Sequence, residues 1–587
     1  MAEILSKQYE SVFTTPIYGP RRFDFNTQSQ LTDIDFSPSD IIQAIKDISP
    51  TSAPGPDGIT PKFLKDYAEE LTEPLQLLWR KSLDTGENPD GTHLAYITAI
   101  FKSGDKSEAA NYRPVSLTNH ITKVFERIIK NEIVFYLTRN QLYNETQHGF
   151  RKARSTQTNL IEYYESILHQ LESNTSVDSI YLDFSKAFDK CDHGIILDKL
   201  NALGINGKLY RWIEDFLRNR KQIVVVNGFK SKQVDVTSGV PQGSVLGPML
   251  FLILMYDISN GLNSSILSSF ADDTKVWRGI NDDVSKIQLQ NDLNTIYNWA
   301  VQNNMKFNDK KFQAIRFFIT LELGSYTNSE GANISFFNNI RDLGITISQD
   351  LSFNEHISII TAKGKQMAGW VLRVFVSRSP FLMKTLLKQL VLPRIEYCCV
   401  IWSPHSQDLI QQLESVQRYF TKKICFNDDG AKPDYWERLK LLKIFSSERR
   451  RERYIILYTW KVLHNLYPNP GLKLNDLFPA AHTQHQAHSL QIKRFNDRTG
   501  ILLGHTASPT LPTDLKARSI LAKCCTLYNC LPANLRRPDD GTHPPNYKKF
   551  KEDLDKWLAT IPDQPTVPGR FRPAQTNSIL HQKDYST

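Results

Sequence analysis

The stretch "ILSSFADDTKVW", residues 266–277, sets two adjacent carboxylates between an apolar run and an alternating one. Flanks of this kind read as paired strands, so the sequence predicts a tight β-hairpin with Asp272 and Asp273 at its tip. The dipeptide alone constrains little. Asp-Asp occurs four times, and the copies at Asp282-Asp283, Asp428-Asp429 and Asp539-Asp540 read as surface turns, where Asp tolerates the required backbone angles. A further acid adds to the first pair. In "SIYLDFSKAFDKCD", Asp183 ends the apolar strand run Ile180 to Leu182, just before the chain turns into a helix. Within one sheet that strand end and the hairpin tip can lie side by side, which makes a cluster of three carboxylates that is costly unless cations neutralise it. Hard oxygen ligands suit Mg²⁺, which keeps several waters and binds substrate phosphates. Two such ions about 3.5 to 4 Å apart can activate an attacking hydroxyl and stabilise the leaving oxygen of a displacement at phosphorus.

The flanking sequence favours an α+β fold. A Pro/Gly turn precedes one helix from about Pro61, and "AYITAIFKSGD" is an extended run ending in a turn. Further on, a helix is expected around Ile121 to Leu137, a loop at "TQHGFRKARST", a helix from Gln157 and a strand at "SIYLDF". A helix from about Ile195, strands "QIVVVN" and "QVDVTSGV", and a helix from Pro248 lead into the hairpin. Several hairpins among interleaved helices speak against a doubly wound parallel sheet. From about residue 350 the pattern is largely helical, and after about Gly541 a polar, Pro-rich tail reads as partly disordered apart from the helix "YKKFKEDLDKWLATI".

Composition narrows the setting. Lys and Arg exceed Asp and Glu by 71 to 62, a net charge of +9, which leans towards a polyanionic partner. Seven cysteines without CxxC spacing indicate neither a disulfide framework nor a zinc finger, and fit a reducing, intracellular setting. The first residues hold no signal-peptide core, so secretion is not expected. The most apolar stretch, Val245 to Ile258, is too short to span a membrane and reads as a buried helix.

"YLDFSKAFD", "SGVPQGSVLGPMLF" and "FADDTKVW", in that order, resemble the palm motifs of reverse transcriptases, and the wider pattern resembles the jockey-like class of non-LTR retrotransposon (LINE) polymerases. "APGPDGI", "IFKSGDKSEAANYRPVSLT", "HGFRKARSTQTNL", "NNMKFNDKKFQAIRF" and "DLGITISQDLSFNEHI" extend the match over about residues 53 to 357. The resemblance implies a right-hand polymerase of fingers, palm and thumb that copies an RNA template into DNA, extending a DNA primer or target with dNTPs and two Mg²⁺ ions, or Mn²⁺. It divides the chain into an N-terminal segment (1–52), fingers and palm (53–347), a thumb-like helical region (348–430), a basic helical region (431–540) and a Pro-rich tail (541–587). It makes Asp183 and Asp272 metal ligands, with Asp273 in the same site and less directly coordinating. Phe188, five residues after Asp183, takes the position that packs under the incoming sugar and leaves no space for a 2′ hydroxyl. Lys102 and Arg113 match cations that grip the triphosphate. Gly239, Gln242 and Gly243 match the motif that supports template base and nucleotide. Lys311 matches a lysine near the leaving pyrophosphate, although Lys310 beside it leaves the register open.

Other features stay outside that scheme. Asp189 and Asp192 lie at a turn and helix start, where Asp is a common cap. His482, His485 and His488 recur at every third residue but have no partner at zinc spacing. Arg449 to Arg451 with Arg453 would suit RNA phosphates or an exposed helix face laced with Glu448 and Glu452. Nothing before Pro54 has the length of the endonuclease that full-length relatives carry, so the expectation is a chain that lacks it, whose primer comes from elsewhere and which acts in the nucleus if its target is genomic DNA. The rival readings are a catalytically silent RNA-binding remnant and an RNA-dependent RNA polymerase; no membrane is involved in any of them.

Overall fold

The computed structural model describes residues 1–17, 23, 25, 27–173, 176–318, 324–424, 433–467, 519–536, 546–564 and 577–581. Its first sheet is formed by β1 (Leu94–Phe101), β2 (Tyr112–Leu117), β4 (Lys221–Val226), β5 (Phe229–Lys230) and β6 (Val234–Asp235). β1 is antiparallel to β2 and parallel to β4.

The second sheet has the order β7 (Ile266–Phe270), β8 (Asp273–Ile280), β3 (Ser176–Leu182), β9 (Gln313–Phe317), antiparallel throughout. β3 is central, and every residue of it except Tyr181 is buried. The apolar run Ile180 to Leu182 is its C-terminal part, and the buried Asp178 before it is paired with Arg316. A short hairpin of β10 (Asn339–Asp342) and β11 (Ile345–Ser348) follows. The architecture is α+β, as expected.

Register positions the acids. Leu182 pairs with Thr274 and Phe270 pairs with Asp273, so the end of β3 and the turn between β7 and β8 lie at the same sheet edge. The turn residues are Ala271 and Asp272, and Ala271 takes a positive φ of 57°.

Helix expectations hold with local differences. His120–Arg139, Thr156–Ser173 and His193–Ala202 fall where the apolar spacing puts them. The helix from Pro61 is instead two, Pro61–Asp66 and Thr72–Thr85. Pro74 accounts for the break, because its ring tolerates only a first helical turn. The buried helix before the hairpin spans Gly247–Leu254, and Glu126 holds its start by accepting the N–H groups of Val245 and Leu246 at 2.7 and 2.9 Å. Of "QVDVTSGV" only Val234–Asp235 is strand. The rest forms a loop whose Gly239 and Val240 N–H groups donate to the carbonyls of Cys191 and Phe188.

The N-terminal helix Ala2–Glu10 buries Leu5 and Tyr9 against Ile97 and Val224 of the first sheet. The chain then crosses to the second sheet's edge. The Thr14 N–H donates to Ser238 Oγ at 3.0 Å and its hydroxyl to the Lys190 carbonyl at 3.2 Å. The Ile17 N–H donates to Asp192, and Asn304 Nδ2 donates to the Thr15 carbonyl at 3.0 Å.

A second hydrophobic core joins the Thr156–Ser173 helix and the second sheet, through Tyr163 and Trp277, to the C-terminal helices Ser447–Leu463, Ile520–Asn529 and Tyr547–Thr560, through Trp460, Cys524 and Leu554. The Arg-rich helix is part of this junction and fits neither expectation made for it. Arg449 and Arg451 are buried, and Arg449 donates to the carbonyls of Leu558, Ile561, Pro562 and Asn577. Arg450 pairs with Glu396 at 2.5 Å, and Arg453 pairs with Asp555. Within the tail, Tyr547–Thr560 is helical as read, and residues 577–581 are described, with the N–H of Ile579 and the hydroxyl of Ser578 bound to Glu452. The cysteines described are free, and most are buried. No described helix is long and apolar enough to cross a membrane. His482, His485 and His488 lie outside the described residues.

Candidate active site

A cavity of about 520 Å³ opens where the two sheets meet, and Asp183 and Asp272 both line it. Each arrives by a different local device. Asp183 is the first residue beyond the paired part of β3, and its carbonyl accepts the Asn308 N–H at 2.8 Å. Asp272 sits in the hairpin turn, whose backbone Gln147 clamps: Gln147 Oε1 accepts the N–H groups of Ala271 and Gly149, both at 2.8 Å, and Nε2 donates to the Ala271 carbonyl at 3.1 Å. The glycine in this loop is required by space. A Cβ on Gly149 would lie 2.4 Å from the Ala271 nitrogen.

The charge of Asp183 acts on Asp272. Burial pushes the Asp272 carboxyl above its usual range, and the charge of Asp183 adds to the shift. Asp273 is pushed up to about 6 by burial and then by Asp272, Asp342 and Asp183. It lies outside the cavity lining, on the first position of β8. Among the described residues, no three His, Cys, Asp or Glu side chains stand in a group that holds a metal ion. Of the three carboxylates expected to cluster, Asp183 and Asp272 line the cavity, and Asp273 follows the turn at the first position of β8.

Cations surround the pair. Lys311 Nζ donates to Asp183 Oδ2 at 2.9 Å, and Lys311 rather than Lys310 lines the cavity. Lys102 and Arg113 of the first sheet also line it, and their charges act downwards on the Asp272 carboxyl. The arrangement suits a ligand that carries several negative charges next to an oxygen-ligated divalent cation. Two like-charged carboxylates lining one cavity supply the hard oxygen donors such a cation needs, and the cation would relieve their repulsion.

Phe188 lines the cavity and stacks on Phe251 at 4.3 Å between ring centroids, so its ring is at once wall and anchor. Gln242 donates to Asp189 Oδ1 at 2.7 Å, and its carbonyl accepts the Ser116 N–H from β2 at 2.8 Å. Gly239 and Gly243 have φ of 82° and 135°, and a Cβ would meet the Asp189 backbone at 2.6 Å or the Ser116 carbonyl oxygen at 2.3 Å. These glycines therefore let protein backbones approach each other, tying the loop to β2 and to the short helix Ala187–Lys190. Asp192 caps the His193–Ala202 helix, as read. Asp189 lines the cavity half-buried, accepts from Gln242, and is pushed up chiefly by desolvation.

Two contributions were missed at the level of sequence. Gln147 acts on a turn 124 residues away, and its only trace was its place in the loop "TQHGFRKARST". Tyr9, Val12 and Phe13 line the cavity from the N-terminal segment, for which no residue pattern gave a signal.

Residues 101–347 match the family described as "Reverse transcriptase (RNA-dependent DNA polymerase)". Among curated proteins, the chain is 27% identical over 398 residues to the "Probable RNA-directed DNA polymerase from transposon X-element" of Drosophila melanogaster, covering 66% of this chain and 44% of that protein. It is 26% identical over 397 residues to the "RNA-directed DNA polymerase from mobile element jockey" of Drosophila funebris, covering 66% and 43%. A third relative, the "Probable RNA-directed DNA polymerase from transposon BS" of Drosophila melanogaster, is 27% identical over 338 residues, covering 55% and 37%. The chain spans less than half the length of these relatives.

Proposed function

We infer that this chain, which carries a reverse transcriptase domain of the non-LTR retrotransposon kind, is an RNA-directed DNA polymerase that extends a primer 3′ hydroxyl with dNTPs. The observation that carries the reading is the meeting of Asp183 and Asp272 in one cavity with Lys102, Arg113 and Lys311. Asp183 and Asp272, with Asp273 beside them, are the residues that would hold divalent ions, Mg²⁺ or Mn²⁺. Bound there, the ions would acidify the primer hydroxyl and stabilise the departing oxygen.

In this reading the primer oxygen bonds to the α-phosphorus, the bond from that phosphorus to the bridging oxygen breaks, and pyrophosphate leaves. Lys311 can pass a proton to the pyrophosphate, a contribution worth about 10²- to 10⁴-fold where a side chain does it. Arg113 and Lys102 grip the triphosphate, Arg113 through its planar fork. Phe188 fills the space a 2′ hydroxyl would need. Gln242, Gly239 and Gly243 keep the supporting loop in place beneath template base and nucleotide. We assign residues 53–347 to fingers and palm, 348–430 to the thumb, and 431–540 and 541–587 to a C-terminal region.

Primer extension by the purified chain on an RNA template tests this. Wild type should incorporate dNTPs with Mg²⁺, while Asp183→Ala and Asp272→Ala should lose synthesis and still bind template-primer. Near wild-type extension by either variant would refute the assignment.

A further inference from the structure

Away from the polymerase cavity, two adjoining clefts of about 970 and 510 Å³ lie between the C-terminal helices, and both are lined by Lys388, Arg450, Arg453 and Tyr454. Their floor is fixed. Arg450 and Arg453 are each taken up by a carboxylate, Glu396 and Asp555 respectively, so these charges cancel. The third acid, Asp563, is occupied by the Ser446 N–H and hydroxyl and by Asn577 Nδ2. The rim differs from the floor. Lys388, Lys440, Lys443 and Lys551 are exposed, and none forms an ion pair among the described residues.

Aromatic surface accompanies this charge. Trp436 lines the larger cleft, Tyr397 and Tyr547 line the smaller, and Tyr454 lies at their junction. Unpaired lysines along a groove with partly exposed rings are the chemistry that holds a single strand: the cations track phosphates, and the rings offer faces to unstacked bases. A duplex hides its base faces and would leave the rings unused. In RNA-templated synthesis the new DNA is paired to its template, so the strand that remains single is the template RNA ahead of copying.

We propose that the groove formed by Lys388, Lys440, Lys443 and Lys551 with Trp436 and Tyr454 binds a single-stranded stretch of the template RNA, outside the polymerase cavity. This rests on the polymerase reading above.

Fluorescence anisotropy with the full chain tests it, comparing a blunt RNA–DNA template-primer with the same duplex bearing a single-stranded RNA extension of about 20 nucleotides, longer than the roughly 4–16 that single-strand grooves hold. The extension should tighten wild-type binding. In the Lys440→Glu/Lys443→Glu double variant that gain should fall about tenfold or more, and the log–log salt slope by about 1.4 for two lost phosphate contacts. Affinity for the blunt duplex and the melting temperature should be unchanged. The proposal is overturned if wild type gains nothing from the extension, if the gain survives in the double variant, or if the variant loses binding to a DNA extension while keeping the RNA gain. Wild-type primer extension run alongside gives a separate readout: a chain that binds the extension through these lysines but makes no DNA refutes the polymerase reading, not the groove.

Discussion

Phe188 carries two demands on one ring, since the same side chain lines the cavity and stacks on Phe251 at 4.3 Å. The two can be separated by what they act on. A steric wall changes the difference between two substrates, whereas a core anchor changes the protein under both. Phe188→Val should let ribonucleotides enter, lowering the dNTP-to-NTP ratio of kcat/KM by about tenfold or more, where each tenfold corresponds to about 1.4 kcal/mol. It should also cost about 1 to 3 kcal/mol of stability from lost packing. Single-nucleotide incorporation with dGTP and GTP, beside a melting curve, checks both; equal losses for the two nucleotides would leave only the anchor. At this scale the sequence was legible where one segment sets a residue's place: Asp183, at the end of an apolar run, and Phe188, placed by the family resemblance, both line the cavity. It was not legible where a side chain serves a distant backbone. Gly239 and Gly243 sit where a Cβ would strike Asp189 and Ser116, groups that only the folded chain brings near.

The β7–β8 hairpin is the element on which the site depends, and its turn is held from outside. Gln147 satisfies the Ala271 N–H and carbonyl and the Gly149 N–H, all buried. Gln147→Ala would leave them without partners, at about 1 to 3 kcal/mol each where water cannot enter. The expected result is a fall in kcat of about tenfold or more, with KM for dNTP little changed, because Asp272 is displaced while the triphosphate cations Lys102 and Arg113 stay in place. Steady-state primer extension with a melting curve distinguishes this from simple unfolding. Periodicity made most elements legible, including β3, the hairpin and the helix Thr156–Ser173. It overextended at "QVDVTSGV", where an alternating run pairs with β4 at only two residues and then bonds to the Cys191 and Phe188 carbonyls as a loop. An alternating pattern records burial, and a loop between two buried surfaces satisfies it as well as a strand does.

Across the whole molecule, buried carboxylates stitch the C-terminal region to the rest. Glu165 of the Thr156–Ser173 helix accepts the N–H groups of Ile520 and Leu521 and the hydroxyl of Ser519, fixing the start of the Ile520–Asn529 helix. Burial pushes its carboxyl from 4.5 up to about 7, against those hydrogen bonds. The folded chain thus keeps a proton that the unfolded chain releases. The resulting stability is complete below about pH 4.5 and is lost as pH rises towards 7, at most about 3 kcal/mol. Glu165→Gln removes the titration, so the difference in melting temperature between wild type and variant should change over that window and level off above it. A constant difference would mean that Glu165 titrates normally. The same stitching explains why the Arg-rich helix misled: the acids that take Arg450 and Arg453 are 54 and 102 residues away in sequence, and a helix that will be buried by distant partners looks the same in sequence as one that faces water. The N-terminal segment is a second case of distant partners. Thr14 bonds to residues 176 and 224 positions later, and Asn304 reaches Thr15 across 289. At about 5 to 20 residues per second of synthesis, roughly 15 to 60 s separate the ribosome's delivery of Thr15 from that of its partner. The cavity wall made first therefore waits for its partners, and Val12 and Phe13 beside Thr15 spend that interval exposed to whatever chaperone the nascent chain meets.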